Sequence, residues 1–273
     1  MIRKKKNVFI TVLLIIGTFA IFLPLYLTIN IALKSPGEMS NPLLSLPQEW
    51  RFQNFTDAIE ATNFFQAFKN SFLVTFFVVV FTVLTNSLVS YAIARNMHKK
   101  YFKALFYYFI SAMFVPFPII MLPIVRQTAL WNMDNLVGLI FLYIVYQLSF
   151  NVFLYVGYIK SIPIALEEAA IIDGASSWGV FWKVVFPLLA PMNATVAILT
   201  CLAAWNDFML PLVILSDPSD ATLPLAQYIF QSEFSTNYNL AFASYLLALL
   251  PMLIVYLVAQ KWIINGVTRG AIK

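Results

Sequence analysis

The chain is poor in charge and in the residues that build most catalytic and metal sites. Only 11% of its 273 residues are charged, whereas soluble domains carry about 25%. It contains a single histidine, His98, and a single cysteine, Cys201. One of each cannot form an internal disulfide or a cluster of converging ligands, so we expect no metal site. No GxxxxGK[ST] phosphate loop and no acid–base–nucleophile set occur, so no catalytic residue is assigned.

What the chain has instead is long apolar runs. Hydrophobic residues make up 61% of it, and the mean hydropathy is +0.82. A helix that crosses the hydrocarbon of a bilayer needs about 20 such residues. Six segments qualify: 8–33, 72–94, 104–125, 136–159, 188–215 and 240–264. The sequence therefore predicts an all-α polytopic membrane protein with six transmembrane helices. The first run is too long for a signal peptide and is expected to be a retained helix.

The distribution of Lys and Arg predicts the orientation of these spans. Of the 17 basic residues, 4 lie in loops on one side of the predicted topology (Lys34, Arg51, Lys69 and Arg126), which leaves 13 on the other. The basic-rich side of a membrane protein faces the cytoplasm. An even number of spans then places both termini in the cytoplasm. Topology thus explains the net positive charge, and we expect no nucleic-acid partner.

The cytoplasmic segment between the fourth and fifth predicted spans, residues 160–187, is unusually polar and punctuated. Its first part, "SIPIALEEAAIIDG", predicts a short helix capped by Ser161. Gly174 is expected to end that helix, because a C-terminal cap requires a positive φ that glycine adopts without strain. A second short helix follows and ends or kinks at Pro187. The segment is therefore expected to be a rigid helix–turn–helix.

One face of the first short helix is suited to contact with another surface. Ala165, Glu168, Ala169 and Ile172 recur at helical spacing and share that face. The alanines permit close approach, and the carboxylate offers a directional partner for a cation. The alternative is a helix resting on lipid headgroups, although membrane-surface helices favour Lys and Arg on their polar side.

The same residues carry a resemblance to a known family. Residues Glu168, Ala169, Ala170, Gly174 and Pro187 match the Glu-Ala-Ala…Gly…Pro pattern of the EAA loop of ABC-importer permeases, with Val184 and Phe186 as conservative replacements. In that family the loop fits a cleft on a separate ATPase subunit and transmits its closure to the membrane helices. The resemblance thus implies an ATPase-coupling role for Glu168, Ala169, Ala170, Asp173, Gly174 and Pro187.

Further motifs extend the resemblance over nearly the whole chain, as a single permease domain of residues 1–273. "FVPFPIIMLPIV", "AAWNDFMLPLVIL" and "QKWIINGVTRGAIK" resemble the shorter, six-helix permease of maltose-type carbohydrate importers. The resemblance implies a second, related permease, two ATPases that use ATP and Mg, an extracytoplasmic solute-binding protein and a sugar substrate. It also implies a bacterial or archaeal plasma membrane, no cofactor bound by this chain, and a C-terminal tail from Gly266 that reaches the ATPase.

An acid within the fifth predicted span marks a candidate translocation path. Asp207 stands in "WNDFMLP", and a carboxylate there costs about 2.5–3.5 kcal/mol on insertion scales, so we expect it to face protein or water. Pro211 removes the hydrogen bond to the Asp207 carbonyl. Trp205, Asn206 and Asp207 offer an aromatic face and polar groups suited to a sugar. The alternative is a polar clamp between helices that touches no substrate.

The outer loop from Ser216 to Asn239 is expected to contact the binding protein through Asp217, Asp220 and Glu233.

Three other functions stay open. An ion-coupled secondary transporter would use Asp207 as its coupling site. An ABC permease could instead carry a non-sugar solute resembling glycerol phosphate. A purely structural subunit would tolerate substitution both at Asp207 and in the loop.

Overall fold

The computed structural model of the chain describes residues 8–231 and 237–271, and every regular element in these ranges is helical. We number the α-helices in chain order. They are α1 (Val8–Leu33), α2 (Gln53–Ala61), α3 (Phe64–Arg95), α4 (Lys100–Ala112), α5 (Phe117–Leu130), α6 (Leu136–Ile159), α7 (Ala165–Ile172), α8 (Ser177–Leu188), α9 (Ala190–Asn206), α10 (Met209–Ile214), α11 (Leu223–Ala226) and α12 (Tyr238–Ala271). Within α8, residues Phe181–Val185 form a π-helical turn.

The chain divides into two compact units, one formed by residues 1–65 and 226–251 and the other by residues 66–225 and 252–273. In the first unit, side-chain amides cap the end of α1. Asn54 Nδ2 donates to the carbonyls of Ala32 and Lys34, each at 2.8 Å, and Asn239 Nδ2 donates to those of Ile31 and Lys34. The last carbonyls of a helix lack partners within it, so these amides satisfy groups that would otherwise be unpaired.

The second unit contains two apolar clusters along the same helices. One joins Ile93 of α3, Tyr155 of α6, Phe181 of α8 and Val196 of α9, all at most 1% exposed. The other joins Val74 and Val78 of α3 to residues near the start of α6, the end of α9 and α10. Helices α3, α6 and α9 therefore form the frame on which the polar sites of this unit are built.

Hydropathy predicted the lengths of the uninterrupted spans well. Helices α1 and α6 begin and end at the predicted residues, whereas α3 and α12 extend beyond theirs. In the part of the chain that the structure describes, four helices are long and apolar enough to cross a membrane by themselves. The count rises to six if each of two bent helix pairs makes one crossing.

The third predicted span, 104–125, is not one helix. Helices α4 and α5 meet at an angle of 102° across residues 113–116. Pro116 adopts an extended conformation directly before α5, and Pro118 lies in the first turn of that helix. A proline disfavours the helical conformation for the residue before it and cannot donate to the preceding turn, so Pro116 separates the two helices. Pro118 is accommodated in the first turn of α5, where its missing N–H is not needed.

The fifth predicted span, 188–215, is not one helix, because the chain bends at Leu189 and is interrupted again at residues 207–208. Helices α8 and α9 together pass the length and hydropathy test but are bent by 74° at Leu189. The apolar path therefore starts within the segment that we expected to lie outside the membrane. At the other end, α9 stops at Asn206 and α10 begins at Met209.

Candidate functional site

Helix α7 and the turn after it form the first candidate site. Gly174 has φ +88°, the left-handed conformation expected of it. Ser176 caps the next helix by accepting a hydrogen bond from the Gly179 N–H at 3.2 Å. The predicted role of Ser161 is wrong, because its hydroxyl donates to the Tyr158 carbonyl and Ile164 occupies the cap position of α7. Ser161 remains hydrogen-bonded to the preceding helix and so cannot reach the first turn of α7.

The face predicted for contact is free of the rest of the chain. Ala165, Glu168, Ala169 and Ile172 are all exposed, and the side chain of Ile172 is 85% exposed. Ile171 and Trp178 are also more than half exposed, and we call these two residues and Ile172 the apolar tip. The other loop residues singled out by the sequence are exposed as well, namely Asp173, Gly174 and Pro187, except that Ala170 is half-buried.

The neighbouring acid, Glu167, points the other way and was missed by the sequence reasoning. It is 5% exposed and forms a salt bridge with Arg95, the last residue of α3, at 2.6 Å between Nη2 and Oε1. Arg95 Nε donates to the same oxygen at 2.8 Å, and the Tyr91 hydroxyl donates to Oε2 at 2.8 Å. Arg95 also donates to the Ile162 carbonyl at 3.1 Å. Both carboxylate oxygens of Glu167 are therefore occupied.

Helical geometry explains why two adjacent acids have opposite environments. Successive residues of an α-helix are about 100° apart around the axis, so Glu167 and Glu168 cannot share a face. Arg95 and Tyr91 are one turn apart on α3 and approach Glu167 from the same side. We call Arg95, Glu167 and Tyr91 the loop anchor. The sequence offers two signals for this pair, an arginine at the end of an apolar span and two adjacent acids in the loop. Nothing in the sequence connects them, because Glu167 lies 72 residues after Arg95.

The second candidate site is the break between α9 and α10. Asp207 is extended there (φ −75°, ψ 132°), and its Oδ1 accepts from the Met209 N–H at 3.0 Å. Its Oδ2 accepts from the Tyr143 hydroxyl of α6 at 2.9 Å. Tyr143 is 5% exposed, whereas Asp207 is partly exposed. Among the residues whose side chains the structure describes (10–231, 237–258 and 260), no cation lies within 4.0 Å of the Asp207 carboxylate.

The residues around Asp207 do not converge as the sequence predicted. Trp205 is buried and its ring packs edge-to-face on Phe68 at 5.8 Å, while Asn206 is exposed and donates to the Leu202 carbonyl. Pro211 does not free a carbonyl inside a continuous helix. The helix is already broken, and Pro211 lies in the first turn of α10, where its missing N–H is not needed.

Two of the acids expected to contact a binding protein lie in the loop after α10. Asp217 is exposed and Asp220 is partly exposed. Asp217 Oδ1 accepts from the Ser219 N–H at 2.8 Å, and this hydrogen bond to the backbone holds the pKa of Asp217 below its usual value. Glu233 and residues 272–273 of the tail lie outside the described residues. Among the residues that the structure describes, no group of three or more His, Cys, Asp or Glu side chains could hold a metal ion.

Both sites fall within one family profile. Residues 86–269 match the binding-protein-dependent transport system inner membrane component. The chain belongs to this family. It is accordingly a transport permease and a multi-pass membrane protein, and α3, α7 and the Asp207 break all contribute to the matched region.

Two curated relatives and one solved structure show how far the likeness extends. The permease is 40% identical to the multiple sugar-binding transport system permease protein MsmG of Streptococcus mutans over 96% of this chain and 95% of that protein. It is 36% identical to the melibiose/raffinose/stachyose import permease protein MelC of Bacillus subtilis over 99% and 98%. Its fold matches a chain of a bacterial ABC transporter involved in the import of alginate, with a TM-score of 0.80, 22% identity, and 96% and 98% coverage.

Proposed function

We propose that this chain is one permease subunit of an ATP-driven importer of sugars in a bacterial or archaeal plasma membrane. Its membership of a binding-protein-dependent transport family supports the importer role. The names of the relatives MsmG and MelC, both matched over at least 95% of their length, support a sugar or oligosaccharide as the solute.

Six crossings are supported by contacts at the two ends of α6, whose 24 residues span about 36 Å. At its end, Lys160 Nζ lies 5.8 Å from the ring of Phe106, in the middle of α4. At its beginning, only residues 131–135 separate it from α5. These contacts at the two ends of α6 support our assignment of the bent pair α4–α5 as one crossing.

The pair α8–α9 is likewise a crossing. Helix α8 packs with Ile159 at the end of α6, whereas the Ser216 hydroxyl donates to Asp134 beside the start of α6 at 2.7 Å. With α1, α3, α6 and α12 the crossings number six, so both termini share a side. Of the 17 basic residues, 13 lie on the side of the two termini, so this side is the cytoplasmic one.

The loop helix α7 supplies the observation that carries the proposal. A cytoplasmic helix that exposes Glu168 and two small alanines, next to the apolar tip formed with Trp178 of α8, has the features of a docking surface, since exposed apolar patches mark interaction sites. We assign its partner as a separate ATPase that binds ATP and Mg, with no cofactor held by this chain. The loop anchor holds α7 in a fixed orientation for this contact.

The rest of the assembly follows from the same proposal. A second, related permease completes the pathway, and an external binding protein delivers the sugar to the loop carrying Asp217 and Asp220. Residues 10–25 of α1 are exposed along their length and contact membrane lipid. The described contacts of Asp207 favour a structural clamp between α6 and the α9–α10 break, with Asn206 as the exposed polar group on the path.

Purification of the tagged chain from its native membrane, followed by mass spectrometry, tests the proposal. A second permease and an ATPase should accompany the wild-type chain, and Glu168→Lys should remove the ATPase while leaving the second permease. The exposed acid of α2, Glu60, provides the control Glu60→Lys, which should keep both partners. Proteoliposomes should then take up radiolabelled raffinose only with ATP.

Unchanged ATPase recovery with Glu168→Lys would contradict the docking role. Uptake by the chain alone, without ATP but dependent on an ion gradient, would instead make Asp207 a coupling site. That carboxylate has no neutralising cation among the described residues, which is the one observation that favours an ion-coupled transporter.

A further inference from the structure

Besides the packing of Ala170 against the buried cluster of the second unit, helix α7 has three attachments to the membrane helices. The chain itself joins it to α6 through residues 160–164 and to α8 through the Gly174 turn. The third attachment is the loop anchor, which joins α7 to α3, a helix that lies more than 70 residues away in sequence.

Helix α3, to which the loop anchor joins α7, is a long helix. Helix α3 has 32 residues and so extends about 48 Å, and Arg95 is its final residue. Ile93 and Ala94 beside Arg95 are buried in the cluster shared with α6, α8 and α9. A displacement applied at Arg95 thus acts on the end of a rigid element, since packed helices transmit movement with little compression.

The chemistry of the anchor makes it resistant to separation. The Glu167 side chain is 7% exposed and the Arg95 side chain 16% exposed. Separating such a pair leaves a buried charge without a partner, which is strongly unfavourable in a site of low polarity. Two hydrogen bonds and an ion pair to one carboxylate, from two side chains on α3, also fix its direction as well as its distance.

We propose that Arg95 and Glu167 form a strut that passes movement of α7 to α3, so that ATPase closure displaces the first long helix of the second unit. Glu168 and Glu167 then have separate roles: the first binds the ATPase, and the second delivers its motion. The strut rests on the proposed function, because without a docked ATPase α7 has no movement to deliver.

The test compares two isosteric substitutions in the complete transporter, reconstituted in proteoliposomes with its binding protein and radiolabelled raffinose. The measured quantities are ATPase recovered per permease and raffinose taken up per ATP hydrolysed. For Glu167→Gln we expect wild-type ATPase recovery and at least a tenfold fall in uptake per ATP. For Glu168→Gln we expect reduced ATPase recovery. Glu60→Gln, at an exposed position, is the control for loss of one acid.

Each outcome decides one of the two ideas. Normal uptake per ATP in Glu167→Gln overturns the strut, and loss of ATPase recovery in that variant reassigns Glu167 to docking. Wild-type ATPase recovery in both Glu168→Gln and Glu168→Lys overturns the docking role of Glu168. The effect of Glu167→Gln on raffinose uptake per ATP is a separate measurement and would stand. If Glu167→Gln cannot be purified as a complex, Arg95→Lys decides, because it keeps a cation beside Glu167 but removes the guanidinium that joins α3 to both Glu167 and the Ile162 carbonyl. It should lower uptake per ATP two- to fivefold, and an unchanged ratio overturns the strut.

Discussion

The loop anchor and the Asp207 break each pair a carboxylate with a tyrosine hydroxyl, but the other partner of the carboxylate differs. In each, a carboxylate accepts a hydrogen bond from a tyrosine hydroxyl on a long membrane helix, Tyr91 for Glu167 and Tyr143 for Asp207. At Glu167 a guanidinium neutralises the charge, whereas at Asp207 the second donor is a backbone N–H at a helix end. Glu167 is nearly buried and Asp207 is partly exposed.

The difference shows how a membrane protein retains an acid near its apolar helices. A buried carboxylate needs a neutralising partner, because transfer of an unpaired charge from water is very unfavourable. An acid that keeps access to water needs only donors that orient it. Glu167 is therefore built as a fixed joint, while Asp207 is held by two neutral donors at a place where the chain is already interrupted.

The largest effect that would sharpen this comparison is expected for Glu167→Ala. It leaves the Arg95 guanidinium buried with only the Ile162 carbonyl, and breaking a buried pair costs about 3–5 kcal/mol. Thermal unfolding of the purified complex in detergent should show a clearly lower midpoint than for Asp207→Ala, which leaves no cation behind. Equal midpoints would mean that the Glu167 pair is not the stronger of the two.

A smaller effect is expected for Tyr143→Phe, with Tyr91→Phe as its matched partner. At Asp207 the tyrosine is the side-chain donor, and a hydrogen bond to a charged group contributes about 1.5–3 kcal/mol. At Glu167 the two bonds from Arg95 remain after the hydroxyl is removed. The unfolding midpoint should fall further for Tyr143→Phe than for Tyr91→Phe. A larger fall for Tyr91→Phe would contradict our assignment of Glu167 as the carboxylate that a cation neutralises.

The substitution Gly174→Ala asks whether the anchor alone keeps α7 in place. Nothing lies within 4 Å of the added methyl group, so the cost is the left-handed conformation, about 1–2 kcal/mol. Gly174→Asn is the control, because asparagine tolerates that conformation. Limited proteolysis should cut the alanine variant faster at residues 173–176, with ATPase recovery reduced less than in Glu168→Lys.

The smallest effect concerns pH and Asp217, an acid that has neither a tyrosine nor a cation as partner. The Ser219 N–H lowers its pKa in the folded loop, so the stabilisation is present above the ordinary pKa of an aspartate. It is lost as pH falls through the lowered value. Binding of the solute-binding protein should weaken at acidic pH in the wild type and lose this part of its pH dependence in Asp217→Asn. An identical pH profile in both proteins would exclude this contribution.

The parts of the fold that sequence could predict are those that depend on local pattern. Helices α1 and α6 follow from uninterrupted apolar runs, and the positive φ of Gly174 follows from the residue type. The 102° angle between α4 and α5 does not, because hydropathy records how apolar a segment is and carries no information on its direction.

The candidate sites show the same limit. The exposed face of α7 follows from helical spacing, but the burial of Glu167 depends on Arg95, 72 residues earlier. In the same way, Asp207 was recognisable as an unusual acid, yet its partner Tyr143 lies 64 residues away on another helix. Helix packing determines which side chains meet across such long stretches of sequence. No residue spacing in a single sequence indicates which helices pack together.

The apolar tip has a consequence for the synthesis of the protein. On the proposed function, a copy made without the ATPase leaves Ile171, Ile172 and Trp178 exposed to the cytosol, and such surfaces promote aggregation or capture by chaperones and proteases. We therefore expect the cellular half-life of the permease to depend on its stoichiometry with the ATPase, so that surplus subunits are removed and only assembled transporters accumulate.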